Sequence, residues 1–258
     1  MRRSAILVVF LIQFTVASFA TAQTPAITNG LNYLAATQTP DGSWGNDASN
    51  AEVLPATTAA IETLQVLNQT GIPQYPTALS WLQSQNLETT DYLSERIHAL
   101  TVSGADSDLL LTYMDQLSKA WGGYDDFQVN NLDTALALQA LKSVNYSDQT
   151  VVNSAISYLL STQNTDGGWA FYQSDPSAGS GQAEINVYMT AIVSWTFQQF
   201  PQNTSIATAI NKATTYIINQ QQTDGGFGPS TGSGSSIYET AYAYMAVGRG
   251  NNRQHNPR

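Results

Sequence analysis

Tyr158-Leu159-Leu160-Ser161-Thr162-Gln163-Asn164-Thr165-Asp166-Gly167-Gly168-Trp169 decides the fold, because its internal arithmetic recurs along the chain. Gln follows the first aromatic by five residues, Gly follows Gln by four, and the second aromatic follows Gln by six. Tyr33-Leu34 … Gln38 … Gly42-Ser43-Trp44 and Tyr216-Ile217 … Gln221 … Gly225-Gly226-Phe227 keep the same spacing. Two weaker copies fit the frame: Trp81-Leu82 … Asn86 … Thr90-Asp91-Tyr92, and Tyr113-Met114 … Ser118 … Gly122-Gly123-Tyr124. Five first aromatics therefore fall at 33, 81, 113, 158 and 216. Repetition at such a period means one supersecondary unit copied and stacked on itself.

Residues before the turn predict an amphipathic helix. Val152, Ala155, Ile156, Leu159 and Leu160 share one helical face. A second helix follows each turn and is apolar nearly all round, as in Leu132-Asp133-Thr134-Ala135-Leu136-Ala137-Leu138. A Thr-Ala step marks it in four units (Thr58-Ala59, Thr134-Ala135, Thr190-Ala191, Thr240-Ala241), while the second unit has Glu95-Arg96-Ile97-His98 in its place. Amphipathic helices suit an outer layer and all-apolar helices an inner one, so the expected fold is all-α, with antiparallel helical hairpins curved into a ring. Asp-Gly in the turns supplies a left-handed residue and a side chain that bonds nearby backbone. Gln38, Gln163 and Gln221 can tie helix ends together, and Trp44, Trp169 and Phe227 can stack at the joints between units. All of these read as structural.

The ends differ from the body. Arg2-Arg3, an apolar stretch from Ala5 to Phe19 and Ala20-Thr21-Ala22 read as a secretory signal peptide over 1–22. The toroid region then spans 23–248, and the basic, aperiodic 249–258 reads as a disordered polar tail. Secretion, or a periplasmic location, follows for the mature chain. Between Gln23 and Gly248 four basic residues face all 19 acidic ones, a net of −15, which disfavours nucleic acid and anionic membrane surfaces. Without cysteine there is no disulfide, thiolate metal site or cysteine nucleophile. Sequons at Asn68, Asn145 and Asn203 matter only in a glycosylating host, and the missing cysteines favour a bacterial one.

The aromatic–Gln–Gly–aromatic units and the Asp133-Thr134-Ala135 helix resemble the QW repeats of squalene and oxidosqualene cyclases. That superfamily includes the protein prenyltransferase β-subunits and shares the α/α-toroid fold; the resemblance covers Ala26 to Gly248. Five pairs fall short of the family's closed ring, implying an open or shallow ring or a piece of a longer protein. Triterpene cyclases of the family protonate substrate through an Asp-x-Asp-Asp-Thr-Ala motif. Here Asn130-Asn131-Leu132-Asp133-Thr134-Ala135 stands there, with Leu132 at the acid's position. The prenyltransferase zinc site needs Asp, Cys and His, and this chain offers only His98 and His255 besides its carboxylates.

Asp133 and Glu239 head equivalent inner helices, either as carboxylates facing a cavity or as helix caps; equivalent placement favours caps. Inner-helix aromatics Tyr188, Trp195, Tyr238, Tyr242 and Tyr244 are candidates to line an apolar cavity, with packing as the alternative, and His98 reads as a core histidine. Loops at the ring's mouth carry Asp47, Glu52, Asp125, Asp126, Asp175 and Glu184, and two Gly/Ser-rich insertions, 174–181 and 229–236. The expected function is a non-catalytic binding or interaction module for a protein, glycan or apolar ligand, needing no cofactor or metal. Its rival is a divergent terpenoid cyclase or carbohydrate-active enzyme working through Asp133 and Glu239.

Overall fold

A computed structural model of the chain describes residues 25–45, 50–100, 108, 110–112, 114–115, 120–124, 127–172, 185–228 and 233–252. The chain divides into two compact units, Met1–Gln38 and Thr39–Arg258. The first, described from Pro25, is helix α1 (Pro25–Thr37), whose last hydroxyl, on Thr37, donates to the Tyr33 carbonyl at 2.8 Å.

The second unit holds α2 (Asn50–Val66), α3 (Gln74–Ser84), α4 (Thr90–Leu100), α5 (Asn131–Ser143), α6 (Gln149–Ser161), α7 (Val187–Gln198), α8 (Thr204–Asn219) and α9 (Ile237–Asn252). A two-stranded antiparallel ladder, β1 (Met114–Asp115) and β2 (Ala120–Trp121), interrupts them. Helices α2, α4, α5, α7 and α9 form an inner layer in which each packs on the next. On the outside, α3 packs on α2, α6 on α5, and α8 on α7. This is the expected all-α toroid.

Burial follows the sequence periods. Outer helix α6 buries Val152, Ala155, Ile156 and Leu159 along one stripe, and α8 does so with Ile206, Ala209, Ile210, Ala213 and Ile217. Inner helix α7 is buried on nearly every face; its Thr190 and Thr196 hydroxyls find partners in the protein, and the Ser194 hydroxyl has none. Thr196, for example, donates to the Ile192 carbonyl at 2.9 Å and accepts from Gln139 on α5 at 2.7 Å.

One joint holds each turn to its inner helix. The backbone N–H groups of Trp44, Trp121, Trp169 and Phe227 donate to the hydroxyls of Thr57, Thr134, Thr190 and Thr240 at 2.9, 3.0, 3.0 and 2.9 Å. The recurring Thr is thus the acceptor for a buried turn amide, which is why the Thr-Ala step repeats. It also corrects one expected register. Trp121, not Tyr124, is the turn aromatic of the third copy: it is fully buried and its indole N–H donates to the Leu110 carbonyl at 2.9 Å. Trp169 repeats that bond to the Leu159 carbonyl at 2.8 Å, whereas Tyr124 is exposed against Phe127. The second copy is shorter than expected. Tyr92 lies inside α4, only five residues separate α3 from α4, and no turn aromatic is inserted.

Glycine is required at two of these turns for two reasons at once. Gly42 and Gly167 have φ of 101° and 97°, and a Cβ on either would stand 2.5 Å from the carbonyl oxygen of Thr77 or Lys212, on the next outer helix. Gln163 reinforces the same contact, its amide donating to the Gly167 and Ala209 carbonyls at 2.9 Å each. Two sequon asparagines have a structural job as well. Asn68 and Asn145 adopt left-handed φ of 55° and 52° just past α2 and α5, ending those helices.

The acidic mouth residues Asp47, Asp125, Asp126, Asp175 and Glu184 lie outside the described residues, as does the Glu52 side chain. At the bases of the two Gly/Ser-rich insertions, Ala170 pairs with Ile185 and Phe227 with Ser236. Helix α9 runs to Asn252, four residues into the stretch expected as a disordered tail, and 253–258 are outside the described residues.

Candidate functional site

Two inner helices, α5 and α9, begin with caps in which the two side chains also bond each other. Asn130 Oδ1 accepts the Asp133 N–H at 2.8 Å while its amide donates to the Asp133 carboxylate. Ser236 repeats the pattern with Glu239, accepting the N–H at 3.2 Å and donating its hydroxyl to the carboxylate. Burial pushes the Asp133 carboxyl up to about 6, against the Asn130 bond that holds it down and with repulsion from Asp91 added. Asn131 joins units: its N–H donates to the Phe171 carbonyl at 2.9 Å, its amide to the Ala170 carbonyl at 2.8 Å, and it accepts the Thr162 hydroxyl at 2.6 Å. Asn130, Asn131 and Asp133 therefore serve the joint, and Asp133 and Glu239 are not brought together around an open site.

In the second unit, residues of all five inner helices line a cavity of about 460 Å³ that is partly open to solvent. Its wall has a register. Counting from the Thr of the joint, the residues two and five places on line the cavity: Ala59 and Glu62, Leu136 and Gln139, Ile192 and Trp195, Tyr242 and Met245. Helix α4 lacks that Thr, but Leu93 stands at its place, four residues after the cap Thr89, and Glu95 and His98 occupy the same two lining positions.

The wall has two chemistries. On α2 and α4 it carries Thr58, Glu62, Ser94, Glu95 and His98; on α5, α7 and α9 it carries Leu136, Ile192, Met245 and the rings of Tyr188, Trp195 and Tyr242. Tyr188 and Tyr242 meet edge to face at 5.0 Å, which fixes both rings. Glu95 is the most perturbed of the polar residues. Burial pushes its carboxyl up to about 7, against the Thr58 hydroxyl 3.3 Å away, with Asp91 and Glu62 adding to the rise. Burial also raises the Glu62 carboxyl, against attraction from His98, whose Nε2 lies 3.8 Å away; at 41% exposure Glu62 is the more solvated of the pair of acids.

Of the expected ligand-binding residues, Tyr188, Trp195 and Tyr242 come together here. Tyr244 does not: it is exposed, with its ring against Phe227 and its hydroxyl 3.0 Å from Gln221. The Tyr238 side chain, Asp125 and Asp126 are outside the described residues. His98 lies in the cavity wall, 41% exposed, rather than in the core. Sequence reasoning missed Glu62, Ser94 and Glu95: Glu62 lies five residues after the joint Thr57, which precedes the Thr58-Ala59 step, and α4 has no joint Thr from which to count to Glu95. Among the described residues no group of three His, Cys, Asp or Glu side chains could hold a metal ion, and no helix is long and apolar enough to cross a membrane.

The model of the prenyltransferase alpha-alpha toroid domain family matches residues 3–96 and 95–250. No curated protein sequence matches the chain. Similar solved structures include the type II terpene cyclase MstE from Scytonema, 14% identical over 88% of this chain and 82% of that one, with a TM-score of 0.70. Another is the protein geranylgeranyltransferase-I of Candida albicans complexed with GGPP, 14% identical over 90% of this chain and 78% of that one, with a TM-score of 0.65. A possible member of the GH105 family from Salmonella enterica is 14% identical over 81% of this chain and 74% of that one, with a TM-score of 0.55. Identities this low carry the fold and no chemistry. With its family model matched along most of its length, the chain belongs to the prenyltransferase alpha-alpha toroid domain family.

Proposed function

We propose that this protein is an exported, non-catalytic binding protein whose toroid lumen holds one small organic molecule. The cavity carries the reading: about 460 Å³, within the range of roughly 300–1,000 Å³ usual for small-molecule sites, and lined by two equivalent positions on each of five helices. Its mix of three aromatic rings with a few convergent polar groups is what orients a small ligand. Non-catalytic use is supported by Leu132 at the position of the cyclase acid and by Asp133 and Glu239 being engaged in caps. The signal-like 1–22 segment supports export.

Glu95 supports a second reading. A carboxyl pushed up to about 7 and facing an aromatic cavity can donate a proton near neutral pH, as a general acid does. One experiment separates the two. The purified mature protein and an Ala59→Trp variant, in which an exposed lumen residue becomes a plug, are incubated with a library of isoprenoids, glycans and small amines, and followed by native mass spectrometry. Binding of an unaltered ligand to wild type and its loss in the plugged variant is the expected result. Conversion of a library member by wild type but not by Glu95→Gln favours the enzyme. Equal binding by wild type and plugged protein sinks the lumen as the site.

A further inference from the structure

Charge in the lumen is one-sided. Glu62 and Glu95 face it, and among the described residues no Lys or Arg lines it. A diphosphate placed there would meet two carboxylates and no Lys or Arg, with His98 already 3.8 Å from Glu62, so this wall opposes anionic ligands. The same cavity is lined by the rings of Tyr188, Trp195 and Tyr242, residue types whose π-systems attract cations.

A third observation points to a ligand that can hydrogen-bond. Serines inside helices usually return their proton to a carbonyl one turn back, as Ser143 does to Ala140 at 2.7 Å and Ser157 to Asn153 at 2.8 Å. Among the described residues the buried Ser94 and Ser194 do not, and of these two only Ser94 lines the cavity, one residue before Glu95, 3% exposed and with no hydrogen-bond partner for its hydroxyl. A buried, unsatisfied hydroxyl in a cavity wall is costly unless something in the cavity satisfies it.

We propose that the lumen takes a protonated alkylamine, its ammonium group seated among Ser94, Glu62 and Glu95 and its alkyl chain against Tyr188, Trp195 and Tyr242. The proposal rests on the lumen-binding reading and gives it a ligand class. The ammonium supplies the permanent positive charge that a wall without Lys or Arg lacks, and N–H groups for the Ser94 oxygen and both carboxylates. Binding is then linked to ionisation of Glu95. The other titratable groups near it are Asp91, Tyr92 and His98 on its own helix, Glu62 from α2, Tyr188 from α7 and Tyr242 from α9; α5 presents only Leu136, Gln139 and Ala140 to the cavity. With the Glu95 carboxyl at about 7, its ionised fraction climbs about tenfold between pH 6 and pH 8, and the affinity for an alkylammonium climbs with it.

The test is isothermal titration calorimetry of the full chain with three probes of one shape: hexylamine (protonated at both pH values), hexanol and hexanoate. Expected results are binding of hexylammonium about tenfold or more tighter than hexanol at pH 8, and about tenfold weaker binding of the amine at pH 6. Glu95→Gln should lose the amine preference and the pH dependence while keeping its affinity for hexanol, which also shows that the variant is folded. Hexanol or hexanoate binding as tightly as the amine overturns the cation proposal and leaves the lumen reading standing, provided Ala59→Trp abolishes that binding. Amine preference retained in Glu95→Gln overturns it as well. No binding of any probe to wild type overturns both.

Discussion

Replacing Glu95 by Gln should stabilise this protein, and only above mildly acidic pH. Glu95 has an ordinary value of 4.5 and is pushed up to about 7 by burial in the lumen wall. Between those values the folded protein holds a proton that the unfolded chain has released, so stability falls as pH rises through the window. Below 4.5 both states are protonated and nothing is lost; above about 7 the loss is complete. The gap corresponds to about 3 kcal/mol, an upper figure because the side chain keeps some solvent contact. Gln is the neutral isostere of the protonated acid and can still accept the Thr58 hydroxyl. At pH 5 the two proteins should therefore lie within about 1 kcal/mol, and at pH 8 the variant should be more stable by about 2–3 kcal/mol. Urea unfolding at both pH values, followed by far-ultraviolet circular dichroism, reads the difference directly, provided the m-values agree. Asp133, pushed up from 3.8 to about 6, gives both proteins the same additional loss at lower pH, so it cancels in the comparison. A wild-type-to-variant difference that stays constant from pH 5 to pH 8 would refute the argument, and so would a variant less stable at pH 8.

Two further predictions concern the joints. Gly167→Ala combines a φ of 97° with a Cβ 2.5 Å from the Lys212 carbonyl oxygen and should cost about 3 kcal/mol, whereas Gly225→Ala, with φ of 85° but open space around its Cβ, should cost about 1–2 kcal/mol. Equal melting temperatures for the two variants would show that the close approach is not what requires glycine. Thr190→Val keeps the shape but leaves the buried Trp169 N–H without its acceptor, a loss of about 2 kcal/mol. Amide hydrogen exchange at Trp169 should speed up in that variant, and unchanged protection there would count against the joint.

The ring was legible because its joints use residues with few substitutes. A left-handed turn next to a carbonyl demands Gly167, and a buried turn amide demands a short hydroxyl acceptor such as Thr190, so spacing alone exposed the repeat. The third copy was misread by three residues because Gly122-Gly123-Tyr124 imitates Gly167-Gly168-Trp169, while the buried Trp121 is identified by its bonds to Thr134 and Leu110. The second copy dropped its turn altogether, and a spacing rule has nothing to hold there. Lumen residues were harder still. Ala59, Glu95, Leu136, Ile192 and Tyr242 occupy one equivalent position with five unlike side chains, and Glu62, His98, Gln139, Trp195 and Met245 occupy the other. Nothing about their identities repeats; only their distance from the joint does. Tyr188, Trp195 and Tyr242 could be nominated because aromatics on an all-apolar inner helix stand out, but a lone Glu on α4 resembles any solvated helix face until the cavity it lines is known.

The division between these two registers explains how the family scaffold can lose an acid and keep its ring. At the helix head, Asn130 caps, Asn131 bridges to the next turn, Asp133 accepts the Asn130 side-chain amide and Thr134 receives the Trp121 amide. None of them lines the cavity, so the stretch that matches the cyclase motif is retained here by the needs of folding, and a Leu at position 132 disturbs no hydrogen bond of the joint. The lumen positions carry the opposite constraint. They touch no joint, so they can be re-lined one at a time, and here the re-lining placed two carboxylates and an unsatisfied Ser94 hydroxyl in a cavity with three aromatic rings. Packing gives no reason for that choice, since Gln at position 95 would fill the same space without the cost of a buried acid. Under the lumen-binding proposal, a stability loss of up to about 3 kcal/mol at neutral pH, concentrated in one cavity-facing side chain, is the cost expected of a residue that meets what enters the lumen.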